Sequence, residues 1–187
     1  MIRLKRSVVL VGLMGAGKTS VGRRLADLLA VPFTDSDDEV VAAAHMTIPE
    51  IFESYGEPEF RRLERAVIAR LLMGPPQVLS TGGGAFIQDE VRDDVKASAV
   101  SVWLCAEVSV LWGRVAEKPG RPLLEDADPL RKLTALAEER YPVYALADVT
   151  IQSDGRDTQD DVARNIIRAL AAHDANSGQI FSSGVLT

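Results

Sequence analysis

Residues 12–19, Gly-Leu-Met-Gly-Ala-Gly-Lys-Thr, leave few folds open to this chain. The pattern G-x-x-x-x-G-K-[ST] works only where a strand delivers the loop and a helix leaves it, because the N–H groups that cradle a phosphate come from the glycine turns and the first helical turn. Both flanks are present. Ser7–Val11 is a Val-rich run that reads as a doubly buried strand, and Val21, Leu25, Leu28 and Leu29 recur at helical spacing behind the loop. The glycines allow successive N–H groups to turn inward, Lys18 reaches the β and γ oxygens of a bound nucleotide, and Thr19 is the expected magnesium ligand. Gly15, Ala16, Gly17, Lys18, Thr19 and Ser20 are therefore the expected phosphate-binding set.

Downstream, short apolar runs alternate with longer helical patterns, and a βαβα order of this kind builds a parallel sheet covered by helices. Strands are predicted at 7–11, 32–34, 77–80, 100–104 and 148–152, enough for one five-stranded sheet with helices on both faces. Thr47 and Glu50 form a capping-box pattern that starts a short helix ending at Tyr55, and Phe60, Leu63, Val67, Ile68 and Leu71 mark another. Asp128-Pro129 opens a helix expected to run through Arg140 until Pro142 interrupts it, and a last helix spans 159–172. The stretch 116–127, with two prolines and a glycine among its charges, is expected to be a mobile lid, and 174–187 a flexible tail.

Composition narrows the function classes. A chain of 187 residues, 47% hydrophobic and 26% charged, suits one domain, assigned to 1–173. The net charge of −6 is spread along the chain without a basic block, which argues against nucleic acid as a partner. The run Val8–Leu13 is too short for a membrane span or a signal core, so a cytoplasmic protein is expected, without a membrane partner and as a monomer. Cys105 reads as a buried thiol at a strand end, and His45 and His173 as surface or packing residues.

Binding ATP or GTP does not by itself imply chemistry, so the acceptor side must decide. Asp35 and Asp37 follow the second strand, at the carboxyl edge where open α/β sheets bind ligands, and strand alternation is expected to put them on one side. One can assist magnesium through water while the other accepts a hydrogen bond from an acceptor hydroxyl. Gly82, Gly83 and Gly84 follow the third strand and let backbone lie close against a ligand. Arg61 and Arg140 could clamp a carboxylate through forked hydrogen bonds.

Over 6–172 these residues carry a resemblance. The Met-Gly-Ala-Gly-Lys-Thr loop, Asp35-Ser36-Asp37, Phe60-Arg61, Thr81-Gly-Gly-Gly84, Arg121-Pro-Leu-Leu124, and Glu139-Arg140 followed by Pro142 and Tyr144 resemble shikimate kinases in order and spacing. Val143 departs from the leucine common in that family, and the lid residues 118–121 and the tail vary within it. The resemblance implies a P-loop kinase fold with a lid, and a substrate-binding region at about 35–64. It implies transfer from ATP, with magnesium, to a hydroxyl of shikimate, giving shikimate 3-phosphate on the route to chorismate and the aromatic amino acids. Asp37, Arg61, Arg140 and Gly82–Gly84 would then meet shikimate, with Lys18, Asp37 and Arg121 catalytic. Thr19 would hold the metal directly and Asp35 through water, Arg121 would swing in on the lid, and Arg114 and Gln159 would flank adenine. A gluconate- or nucleotide-type kinase, or a nucleotide-dependent switch, remains the rival reading.

Overall fold

The computed structural model describes residues 3–116, 128–175 and 178–182. Five strands, β1 (Ser7–Val11), β2 (Phe33–Asp35), β3 (Val78–Ser80), β4 (Ala99–Ala106) and β5 (Val149–Ser153), form one parallel sheet in the order β2-β3-β1-β4-β5. Every residue of β1, β3 and β4 is buried, which explains why these strands read as continuous apolar runs rather than alternating ones.

Among the described residues seven α-helices accompany the strands: α1 (Lys18–Leu29), α2 (Ser36–Ala44), α3 (Ile48–Leu72), α4 (Asp89–Ser98), α5 (Val108–Val115), α6 (Pro129–Tyr144) and α7 (Gln159–Asp174). The β1-to-β2 crossover moves along the sheet in one direction and the β3-to-β4 crossover in the other. Right-handed crossovers in opposite directions put α1 and α4 on opposite faces, and α7 packs on α1 while α3 packs on α4. The order of strands reverses around β1, so the loops leaving β1 and β3 splay apart and open a crevice at the carboxyl edge.

Several boundaries differ from expectation for identifiable reasons. Pro142 does not stop α6: it falls in the last turn, where its missing N–H removes one helical bond and the helix closes two residues later. The expected short helix ending at Tyr55 and the following helix are continuous in α3 except at Gly56, whose φ of 79° breaks the helical path before Pro58. α2, α4 and α5 had no counterpart in the sequence reading. α2 buries only Ser36 and Val40 and α4 only Val91 and Val95, while α5 is apolar but just eight residues long, too short for a helical period to stand out.

The far carboxyl-terminal residues also differ from a free tail. Asp174 accepts hydrogen bonds from the backbone N–H groups of Gln179 (2.6 Å), Ile180 (2.9 Å) and Phe181 (2.9 Å). This turn lays Phe181 antiparallel to Leu4, and Ile180 is 1% exposed within the core. The remaining residues of the predicted tail, and residues 117–127 of the lid expected at 116–127, lie outside the described residues. Among the described residues no helix is long and apolar enough to cross a membrane. Cys105 is buried, and burial pushes its thiol pKa up, consistent with an inert packing role. His45 ends α2 in the left-handed conformation (φ 53°), and both it and His173 are exposed.

Candidate active site

The loops at the carboxyl ends of β1, β2, β3 and β5 open into one cavity of 1240 Å³. The glycine loop forms its floor at one end. Gly12, Gly15 and Gly17 all have positive φ (140°, 82° and 91°), the conformations that turn N–H groups toward a phosphate. Close packing reinforces the need for glycine: a Cβ on Gly12 would lie 2.8 Å from Leu104 O, and one on Gly15 2.8 Å from Val115 Cγ1. Gly17 then caps α1, whose first turn carries Lys18, Thr19 and Ser20. Lys18 Nζ donates to Gly12 O (2.8 Å) and Leu13 O (3.0 Å), so the ammonium lies over its own loop.

Thr19 Oγ1 donates to Asp35 Oδ2 at 2.9 Å, which places a hydroxyl and a carboxylate side by side next to the glycine loop. An all-oxygen pair of this kind suits magnesium, which keeps most of its waters and phosphate ligands and needs few protein groups. Among the described residues no His/Cys/Asp/Glu cluster of the sort that cages a metal by itself is present.

Asp35 and Asp37 both line the cavity, but strand alternation is not the cause. Asp35 ends β2 and caps α2, its Oδ1 accepting from Asp37 N at 3.1 Å, and Asp37 sits in the first helical turn. The cap aims Asp37 at the β3 loop, where Asp37 Oδ1 is buried without a hydrogen-bond partner. Burial raises the pKa of Asp37, and Asp35 adds to the rise, against the opposing charges of Lys18 and Arg61.

Opposite Asp37 stand the glycines of the β3 loop. A Cβ on Gly82 would lie 2.6 Å from Glu64 Oε1 and 2.8 Å from Asp37 Oδ1, and one on Gly84 would lie 2.5 Å from Arg61 Cζ. The loop is therefore glycine because two carboxylates and a guanidinium already occupy the space. Arg61 Nη1 donates to Glu64 Oε2 (2.8 Å) and Nη2 to Glu57 Oε1 (3.0 Å). Arg140, on α6, reaches the neighbouring glycine: its Nη1 lies 3.6 Å from a Cβ placed on Gly83. The two guanidinium groups thus flank adjacent residues of one loop and face the cavity that holds Lys18.

Glu64 was not among the residues singled out from sequence, although it carries a recognisable signal. It is a carboxylate inside the apolar stripe Phe60, Leu63, Val67, Ile68, Leu71, and it is 0% exposed. Its Oε2 also accepts from Gln88 Nε2 at 3.0 Å, while Oε1 is unpartnered. Burial raises its pKa, Arg61 pulls it back, and Asp37 pushes it up again. Four buried side-chain polar atoms lack a hydrogen-bond partner among the described residues, and three belong to Asp37, Glu64 and Arg140 in the cavity wall. Buried polar atoms are normally paired, so this concentration marks the wall as built for a polar ligand.

At the far end, Arg114 Nη1 donates to Gly15 O (3.2 Å) and Nη2 to Ser153 Oγ (3.1 Å), and Gln159 begins α7 beside the same cavity. All the site residues expected from sequence therefore line one space, except Arg121, which lies outside the described residues.

The family model for shikimate kinase matches residues 14–171. Curated shikimate kinases from Mesorhizobium japonicum and Ruegeria pomeroyi are 52% and 54% identical over 168 residues, covering 90% of this chain and 82% and 86% of theirs. Among solved structures, shikimate kinase from Acinetobacter baumannii in complex with shikimate superposes with a TM-score of 0.84 at 39% identity, over 89% of this chain and 93% of that one. With the glycine loop, the capped aspartate and the paired guanidiniums in one cavity, and with relatives this similar over nearly its whole length, the chain belongs to the shikimate kinase family.

Proposed function

We infer that this protein is a shikimate kinase, transferring the γ-phosphoryl group of ATP to a hydroxyl of shikimate and yielding shikimate 3-phosphate and ADP for aromatic amino-acid (chorismate) biosynthesis. The observation that carries this reading is the shared cavity, with a phosphate cradle at one end and Arg61 and Arg140 around the β3 glycines at the other. The guanidiniums receive the carboxylate of the acid, which leaves its ring hydroxyls facing Asp37. Asp37 accepts a hydrogen bond from the attacking hydroxyl, and its raised affinity for a proton suits it to take the proton as the bond to phosphorus forms. Lys18 and Arg121 stabilise charge on the migrating group, while Arg114 and Gln159 border the base. Thr19 would hold magnesium directly and Asp35 through water, and the ion would supply neutralisation of phosphate charge. A cytoplasmic monomer acting without nucleic acid or membrane fits this chemistry.

The test is a coupled assay of ADP release with purified protein, ATP, magnesium and, in parallel, shikimate, gluconate and nucleoside monophosphates. Turnover with shikimate is expected to exceed that with the others by orders of magnitude. Phosphorylation of gluconate or a nucleotide in preference to shikimate overturns the assignment, and ATP binding without transfer to any acceptor returns the chain to the nucleotide switches.

A further inference from the structure

Arg140 and Tyr144 stand one helical turn apart on α6, so their side chains leave the same face. Tyr144 is 0% exposed. Its hydroxyl donates to Gly83 O, and the Arg140 side chain lies close enough for its charge to act on the same hydroxyl. A Cβ on Gly83 would lie 3.6 Å from Arg140 Nη1 and 3.8 Å from Tyr144 Oη, so both side chains converge on one peptide of the glycine loop. The ring has little freedom to move. It packs against Trp103 (centroids 6.0 Å apart) and Tyr141 (6.4 Å), and Trp103 is paired with Val11 at the end of β1, next to the phosphate loop.

We propose that Tyr144 is a positioning residue for the acid: its hydroxyl ties Gly83 in the β3 loop to α6, one turn beyond Arg140, and so sets the gap between backbone and guanidinium into which the carboxylate fits. The proposal rests on the shikimate kinase reading. Arg140 depends on such an anchor because its Nε is buried without a partner, while the other charged groups nearby, Glu64 and Arg61, approach from α3. Burial, opposed by Arg140, pushes the Tyr144 hydroxyl up to about 12, so it remains a neutral donor to Gly83 O throughout the working range. Nothing in this role touches the transferring phosphate, which separates it from Lys18 and Asp37.

The experiment compares wild type, Tyr144→Phe and Tyr141→Phe as full-length proteins. Tyr141 is the control, since it lies on the same helix and in the same aromatic group but its hydroxyl donates to Ala106 O, away from the glycine loop. For Tyr144→Phe the KM for shikimate is expected to rise about 5–20-fold, with the KM for ATP within about twofold and kcat within about threefold, the pattern of lost uniform binding. Tyr141→Phe is expected to lower the thermal midpoint while leaving the shikimate KM within about twofold. An unchanged shikimate KM in Tyr144→Phe, or an equal rise in Tyr141→Phe, overturns the proposal, because the hydroxyl then acts only through helix stability. Should wild type prefer another carboxylic acid, the functional reading fails by itself, and the same comparison with that acid still decides whether Tyr144 sets the clamp.

Discussion

Gly84→Ala tests the proposed carboxylate clamp apart from the nucleotide end. Gly84 has φ −98° and ψ −11°, a conformation open to any residue, so the glycine is required for space and not for backbone freedom. Its added Cβ would lie 2.5 Å from Arg61 Cζ and Nη1. Nonbonded heavy atoms are comfortable at roughly 3.5–4.0 Å, so the guanidinium must withdraw by about 1 Å. It can do so, being the end of a long side chain that is 24% exposed, and the fold is expected to lose no more than about 1 kcal/mol. A forked contact to a carboxylate does not survive such a shift. Hydrogen bonds to charged groups contribute about 1.5–3 kcal/mol, which at 1.4 kcal/mol per decade predicts a rise in the shikimate KM of roughly 10–150-fold. Steady-state kinetics with each substrate varied, together with a thermal melt, give the answer. The ATP KM is expected to stay within about twofold. An unchanged shikimate KM, or a matching loss for ATP, refutes the argument. Gly12→Ala is the contrasting case: its Cβ meets backbone, Leu104 O at 2.8 Å, at a φ of 140° that alanine avoids, and both substrates and the fold suffer together.

Asp37→Asn is expected to abolish most turnover yet stabilise the protein by about 1 kcal/mol at neutral pH, because it removes the charge of a partly buried carboxylate whose Oδ1 has no hydrogen-bond partner. The sign follows from its raised pKa. The folded state holds the proton above the ordinary value of 3.8, so the wild type loses stability as pH rises from there through the folded pKa, and the variant shows a shallower decline. Thermal melts across that window decide it, and a less stable Asp37→Asn protein contradicts the account. Asp174→Ala, which deprives three backbone N–H groups of their acceptor, is expected to cost about 2–4 kcal/mol and to speed hydrogen exchange at Ile180. Exchange at Ile180 equal to that of wild type shows that the segment is held by other contacts.

The nucleotide end was legible because its chemistry is local. The strand, three glycines, Lys18 and Thr19 are contiguous, and the conformation they need is set within residues 7–20. Asp35 and Asp37 were found for a reason the structure replaces: they share a side because an aspartate caps a helix, not because a strand alternates. The helix itself escaped notice because α2 buries so little that it has no apolar stripe, and its start is written only in the Asp35 cap. Asp174 illustrates the opposite failure. Residues 178–182 carry almost no periodicity, and they are ordered by a carboxylate that collects three backbone donors and by Ile180 entering the core.

Glu64 and Tyr144 were harder still, since each gains its meaning from residues distant in sequence. Glu64 is bound to Arg61 within its own helix, yet what places it is Gly82, whose missing side chain leaves room for Glu64 and Asp37 to approach the same point. Tyr144 depends in the same way on Gly83, 61 positions earlier. In both cases the β3 glycines are the common partner, so a run of glycines after a buried strand is informative less for what it binds than for what it lets approach. A search for polar residues on otherwise apolar helical stripes, paired with such a run, would have brought out both: Glu64 breaks the stripe of α3, and Tyr144 shares the buried face of α6 with Leu133 and Ala137.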